Sequence, residues 1–62
     1  MHIVFYSTND VFRTEEIFSK HAIVCKIVPT PVQDKAYCGV CIETNDKTGL
    51  DLIKEMEHAV IK

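Results

Sequence analysis

The chain has 62 residues and a net charge of −2, and its lysines and arginines are scattered, so nothing favours nucleic-acid binding on electrostatic grounds. A single domain over residues 1–62 is expected, because a chain this short supplies only one small core. Neither an apolar run of membrane-spanning length nor a signal peptide is visible, so we expect no membrane partner.

The first predicted elements are a strand and a helix. HIVFY, residues 2–6, is a β-rich run with apolar side chains on both of its faces. Ser7 or Thr8 then caps a helix that is expected to run to about His21. At about 100° per residue, the apolar face of this helix consists of Val11, Thr14, Phe18 and Ala22, with Ile17 on its flank.

Two further strands are predicted to form a hairpin. AIVCKIV, residues 22–28, is the second strand, and Lys26 marks its wetter face. Its core-facing side chains are therefore Ile23, Cys25 and Ile27. Pro29 and Pro31 end this strand, because proline cannot donate to a sheet ladder. The third strand is expected over residues 40–44.

A closing helix completes the predicted fold. Asn45 and Asp46 cap it, and it runs almost to Lys62, with an apolar arc formed by Leu52, Ile53, Met56, Ala59 and Val60. The element order β-α-β-β-α predicts an α+β two-layer sandwich. A right-handed crossover gives a three-stranded antiparallel sheet in the order 1-3-2 with two helices on one face, a truncated ferredoxin-like unit.

This topology leaves surfaces that favour association. Strand one would have an open edge, and the uncovered sheet face would carry Val4, Tyr6, Val24 and Val28. Phe12 lies off the apolar stripe of the first helix and is expected to cover a loop or contact a partner. We therefore expect a homodimer or a partner protein.

The stretch VPTPVQDKAYCGVCI, residues 28–42, contains both prolines and two of the three cysteines, and Cys38 is its candidate functional residue. An odd number of cysteines favours free thiols in a reducing cytoplasm. The topology puts Cys38 near the start of the first helix, where backbone N–H groups favour a thiolate. Lys35 would add positive charge, whereas Asp10 and Asp34 oppose it, so we expect modest thiol activation.

Gly39 and Cys41 extend the candidate site. Gly39 indicates either an unusual backbone angle or space for another chain to approach the sulfur. Cys38 and Cys41 form a Cys-x-x-Cys, which is typical of dithiol pairs and of half a zinc site. Residues three apart on a strand face opposite ways, so these two could pair only if Cys38 still lies in the loop. Zinc would need two more ligands, and the three histidines are scattered, so no metal site is predicted.

The segments FYSTND, IVPTP and YCGVCIET resemble the selenium/sulfur carrier-like family of short bacterial and archaeal proteins. The resemblance covers nearly the whole chain, and its specific part is Pro31 seven residues before Cys38, followed by Gly39. It implies that Cys38 carries sulfur or selenium as a persulfide or perselenide. The sequence departs from the family pattern at Val32, where a basic residue is usual, and at Cys41, where a small residue is common.

The leading hypothesis is a small cytoplasmic thiol carrier rather than an enzyme, with no bound cofactor. Cys38 would accept the atom from a donor protein and pass it to an acceptor protein, and Cys41 would resolve the loaded form. The predicted substrate-binding residues are Gly39, Ser7, Thr8 and Lys35. Two alternatives stay open: a non-catalytic interaction module that uses the open sheet face and edge, and a dithiol redox protein that uses Cys38 and Cys41.

Overall fold

Four short strands and two helical segments form the fold, as a computed structural model of the chain describes it over residues 1–31 and 36–61. In chain order these elements are β1 (His2–Phe5), α1 (Thr8–Lys20), β2 (Lys26–Pro29), β3 (Val40–Glu43), a 3₁₀ helix (Lys47–Ile53) and β4 (His58–Ile61). The chain is thus an α+β protein, as predicted. None of the described helices is long and apolar enough to cross a membrane.

The sheet is antiparallel throughout, and its strands lie in the order β2-β3-β1-β4. Ile3 on β1 stands opposite Ile42 on β3 and opposite Val60 on β4. The predicted hairpin of the second and third strands is confirmed, since Val28 on β2 stands opposite Cys41 on β3. The predicted bounds of the second strand, residues 22–28, are wrong, because β2 spans Lys26–Pro29. The element order matches the ferredoxin-like β-α-β-β-α-β unit, with a 3₁₀ helix in the place of its second α-helix.

The predicted three-stranded sheet and long closing helix are wrong. The helical segment ends at Ile53, and residues 58–61 form β4 against β1. The apolar spacing across this segment fits a helix, but β1 has a second edge whose main-chain groups need partners, and β4 supplies them. The predicted open edge on strand one is therefore also wrong, because the two edges of the sheet are β2 and β4.

The core lies between one face of the sheet and the helical layer. Its buried cluster consists of Ile3, Phe5, Val11, Phe18, Ile23, Ile42 and Ile53. The predicted buried face of the first helix is confirmed at Val11, Thr14 and Phe18. Ala22 is exposed instead, because α1 ends at Lys20 and Ala22 takes a left-handed conformation with φ of 56°.

The second face of the sheet differs from the predicted apolar patch. Val4 is fully buried, because β1 is an inner strand with Cys41 and Ala59 beside it in register. Tyr6 and Val24 are exposed, at 48% and 83% respectively. The four residues expected to form a continuous exposed patch therefore do not share one environment.

The 3₁₀ helix is fixed at its start by a cap and by a close approach to α1. The Asp46 carboxylate accepts hydrogen bonds from the N–H and hydroxyl of Thr48, and these lower the pKa of Asp46. Asp46 is thus the cap that the sequence predicted. Gly49 lies directly against the ring of Phe18, so close that the position has no room for a side chain.

Replacing Gly49 with alanine is expected to destabilise the protein. The new Cβ would lie 2.6 Å from Cζ of Phe18, and this ring is fully buried and has little room to move. Overpacking of this kind costs about 1–3 kcal/mol. Urea unfolding followed by circular dichroism measures the loss.

Gly39→Ala is the matched control, since a Cβ there meets no described heavy atom within 4 Å. This substitution should change the free energy of unfolding by no more than about 0.5 kcal/mol, as at other open surface positions. Equal losses in the two variants would contradict the close packing of Gly49 on Phe18.

Candidate functional site

The main chain of Cys38 is held by hydrogen bonds with the end of β1 and with the residue that follows β2. Its N–H donates to the carbonyl of Phe5 at 2.9 Å, at the end of β1. Its carbonyl accepts from Oγ1 of Thr30 at 2.8 Å, and the N–H of Thr30 donates to the Gly39 carbonyl at 3.0 Å. The position of Cys38 is therefore set by the sheet, although the residue precedes β3.

The Cys38 side chain is half-buried and packs against the core cluster. Its thiol donates to the Val40 carbonyl, with 3.0 Å between Sγ and the oxygen. Only a protonated thiol can donate in this way, because a thiolate or a terminal persulfide anion carries no proton. Loss of the proton therefore replaces this hydrogen bond with repulsion between sulfur and carbonyl oxygen.

Gly39 provides space beside the thiol and no unusual conformation. It is exposed, its φ is not positive, and a Cβ built on it meets no described heavy atom within 4 Å. The predicted unusual backbone angle at Gly39 is therefore wrong, because the residue simply continues the pairing with Thr30. The alternative, access for another chain to the sulfur, stays a prediction.

Ser7 and Thr8 lie at the start of α1, two and three residues beyond Phe5. Ser7 is the N-cap, but among the described residues its hydroxyl does not cap the helix. The carbonyl of Ser7 accepts the N–H groups of Asp10 and Val11. No hydrogen bond joins Cys38 to Ser7 or Thr8 within the described part of the chain. Lys35, the fourth predicted binding residue, lies outside the described residues.

Cys41 is fully buried within β3. Its neighbours Val40 and Ile42 belong to the core side of the sheet, so Cys41 faces the other side. Burial raises the pKa of its thiol, and the nearby Cys38 and Glu43 raise the pKa further. A hydrogen bond with Thr30 lowers the pKa, but the net shift is upward. Cys41 is thus a protonated and sheltered thiol, on the opposite side of the sheet from the core against which Cys38 packs.

A family model described as "Putative Se/S carrier protein-like" matches residues 1–62, the whole chain. The chain belongs to this Se/S carrier-like family. No curated protein and no solved structure matches it. Cys38, the residue that the sequence singled out by its Pro-to-Cys-Gly segment, is also the cysteine that this fold ties to the end of β1.

The other thiol of this family member, Cys25, packs against the core cluster while half-buried. Burial raises its pKa, and the negative charge of Glu15 acts in the same direction. All three cysteines are free thiols. Among the described residues, no group of three or more histidines, cysteines and carboxylates could hold a metal ion.

Two contributors to the site were missed in the sequence. Thr30 orients Cys38 through its hydroxyl and Gly39 through its N–H. The feature of the sequence that could have indicated this role is a hydroxyl residue between Pro29 and Pro31. The rings of Tyr6 and Tyr37 lie 5.3 Å apart and connect the end of β1 to the residue before Cys38. That pair gave no sequence signal, because its members are 31 positions apart.

Replacing Cys41 with alanine is expected to reduce the loss of stability at alkaline pH. The unfolded thiol ionises near its ordinary pKa of about 8.5, whereas the folded thiol has a raised pKa. Above the unfolded pKa the folded chain retains a proton that the unfolded chain has released. The free energy of unfolding therefore falls as pH rises toward the folded pKa, by at most about 1.4 kcal/mol per pH unit.

Urea unfolding at several values between about pH 7 and about pH 10 measures this slope. Val28→Ala is the control, because Val28 stands opposite Cys41 in the sheet and does not titrate. The control should lower stability equally at every pH. Parallel stability curves for the wild type and Cys41→Ala would contradict the raised pKa.

Proposed function

We propose that this protein is a carrier that takes one sulfur or selenium atom onto Cys38 from a donor protein and passes it to an acceptor protein. The observation that supports this most strongly is the arrangement at residues 38 and 39. A main chain held from two sides presents a half-buried thiol beside a glycine with open space above it. Membership of the Se/S carrier-like family supports the same chemistry.

The loading step is a thiol exchange that needs no separate oxidant. The Cys38 thiol releases its proton to water, and the thiolate attacks the terminal sulfur of a donor persulfide. A sulfur–sulfur bond forms at Cys38 while the donor's own sulfur–sulfur bond breaks. The donor thiolate leaves with the electron pair, and the carrier holds a persulfide anion. A donor selenopersulfide delivers selenium by the same exchange, and the reverse exchange loads an acceptor thiol.

The remaining residues of the proposed site act on the anion or on access to it. Gly39 leaves room for the donor sulfur. Ser7 and Thr8 begin α1, whose positive end favours negative charge, and Lys35 would add a cation. The thiol of Cys38 gives up its hydrogen bond to Val40 when it ionises, which favours rotation of the sulfur away from that carbonyl.

Cys41 serves in this proposal as a buried apolar residue and not as a resolving thiol. It is fully buried, its pKa is raised, and its side chain faces the side of the sheet opposite the core. A resolving attack or a Cys38–Cys41 disulfide would require the start of β3 to leave the sheet. The proposal therefore favours a single-thiol carrier over the dithiol redox alternative. It places the protein in a reducing compartment such as the cytoplasm, where thiols stay free.

Incubation with glutathione persulfide, rapid alkylation and intact-mass spectrometry tests the proposal. We expect the wild type to gain one sulfur atom and Cys38→Ala to gain none, because the proposed acceptor sulfur is missing. Cys25→Ala and Cys41→Ala are the matched controls and should load like the wild type. Loading that survives in Cys38→Ala, or is lost in Cys41→Ala, would contradict a single-thiol carrier at Cys38.

The Gly39→Val variant tests in the same assay whether open space at residue 39 gives the donor access to the Cys38 sulfur. The position is exposed and open, so stability should change little, whereas the added side chain should slow loading severalfold. The loading rate of Gly39→Ala should lie between the rates of the wild type and of Gly39→Val. An unchanged loading rate in a folded Gly39→Val protein would remove Gly39 from the proposed site.

A further inference from the structure

A single hydroxyl group contacts both cysteines of the Cys-x-x-Cys. Oγ1 of Thr30 donates to the Cys38 carbonyl at 2.8 Å, and the same hydroxyl is a hydrogen-bond partner of the Cys41 thiol. Thr30 follows β2, and its N–H donates to the Gly39 carbonyl, which continues the register that puts Val28 opposite Cys41. Because alternate side chains of a strand share a face, Thr30 lies beside Cys41 on the side of the sheet away from the core.

The two thiols lie on opposite faces of the sheet. Cys38 packs against the core cluster, whereas Cys41 faces the other side and is fully buried there. In an extended chain, Cα atoms three residues apart are separated by about 10 Å. A disulfide needs a Cα separation of about 4.4–6.8 Å. A bond between the two sulfurs therefore requires residues 38–41 to leave the extended conformation and form a turn.

Gly39 is the position at which such a turn meets little steric resistance. Glycine adopts either sign of φ readily, and Gly39 is exposed with no described heavy atom within 4 Å of a Cβ built on it. Hydrogen bonds hold this segment extended, to the Phe5 carbonyl on one side and from Thr30 on the other. The bond from the Thr30 hydroxyl comes from a side chain, so a substitution removes it and leaves the main chain unchanged.

The Thr30 hydroxyl cannot hold Cys38 and stabilise an ionised Cys41 at the same time. A hydroxyl has one proton to donate, and Thr30 donates it to the Cys38 carbonyl. Toward Cys41 the hydroxyl can then only accept, and only a protonated thiol can donate to it. A Cys41 thiolate, which is the form that attacks sulfur, gains the Thr30 proton only when the hydroxyl leaves the Cys38 carbonyl.

We propose that the Thr30 hydroxyl is a positioning group that keeps Cys41 from attacking a loaded Cys38, so that the carried atom leaves only to an external acceptor. This inference rests on the proposed carrier function. With the hydroxyl in place, an acceptor thiolate attacks the terminal sulfur of the Cys38 persulfide and takes it, and Cys38 is left as a thiolate.

Without the hydroxyl, the loaded atom is lost by an internal exchange. The Cys41 proton passes through water to the outer sulfur of the persulfide, and the Cys41 thiolate attacks the inner sulfur, which belongs to Cys38. A sulfur–sulfur bond forms between Cys38 and Cys41 while the bond to the outer sulfur breaks. The outer sulfur leaves with the electron pair as hydrosulfide, so the exchange needs no external oxidant.

The variant Thr30→Val tests the proposal, because valine keeps the branched shape of threonine and removes the hydroxyl. Each protein is loaded with glutathione persulfide, freed of reagent, and followed by intact-mass spectrometry and by assay of released hydrosulfide. We expect the wild-type adduct to persist until an acceptor thiol is added. Thr30→Val should lose its adduct severalfold faster, with hydrosulfide released in equal amount and a Cys38–Cys41 disulfide found by peptide mapping.

Thr30→Ser is the matched control, because it keeps the hydroxyl and should hold the adduct like the wild type. Thr30→Val combined with Cys41→Ala should also hold it, because the attacking thiol is absent. Urea unfolding checks that Thr30→Val is folded, and Thr30→Ala replaces it if it is not. A Thr30→Val adduct as durable as that of the wild type, or rapid loss from the double variant, would overturn the proposal.

Glutathione disulfide tests the role of Thr30 without any persulfide, so it separates this inference from the carrier chemistry. The Cys38 thiolate takes glutathione by exchange, and the wild type should stop at this mixed disulfide. In Thr30→Val, Cys41 should then displace the glutathione and close the Cys38–Cys41 disulfide. A wild type that closes it as fast as Thr30→Val, or a Thr30→Val protein that does not close it, would overturn the role of Thr30.

Discussion

The hydrogen bond from the Cys38 N–H to the Phe5 carbonyl is the interaction on which the candidate site depends. It joins a residue shortly before β3 to the end of an inner strand. Phe5 is fully buried in the core cluster, so its carbonyl cannot shift without disturbing the packing beneath it. The hydroxyl of Thr30 fixes the next peptide group from the opposite side. A reactive thiol on a main chain held in this way keeps its direction of approach.

The fourth strand makes that anchor rigid. Without β4, β1 would be an edge strand with unpaired main-chain groups, and edge strands open more readily than inner ones. The pairing of β4 with β1 runs along the whole of β1, including Phe5 opposite His58. On the helical side, Gly49 lets the 3₁₀ helix close over Phe18 and complete the core. Small domains have few such contacts, so each one matters more for stability.

Local patterns predicted the elements whose periodicity is unambiguous. Apolar spacing predicts the buried face of α1 and the hairpin of β2 and β3. The cap at Asp46 follows from a side chain that can accept a hydrogen bond at the start of a helix. The fourth strand could not be predicted from local sequence patterns. The residues from Leu52 to Val60 fit a helical arc, and no proline or glycine marks the end of the helix at Ile53. Tertiary pairing with β1 decides the conformation there, and that pairing has no local signature.

The site was predictable to the same degree. Cys38 and Gly39 stood out because a cysteine beside a glycine follows a proline-bounded loop. The partners that hold them did not stand out, since the Phe5 carbonyl is a main-chain group and the contribution of Thr30 requires the hairpin register. The burial of Cys41 could not be predicted from the sequence either. Its side chain faces the side of the sheet away from the core cluster and is nevertheless fully buried.

Hydrogen exchange of the Cys38 amide tests whether the bond to the Phe5 carbonyl anchors the site, because it reports whether this part of the main chain opens only when the sheet opens. If the bond to Phe5 anchors the site, this amide should exchange as slowly as the amides of the inner strands, through opening of the sheet. Exchange of the Cys38 amide at the rate of an exposed loop would contradict this anchoring.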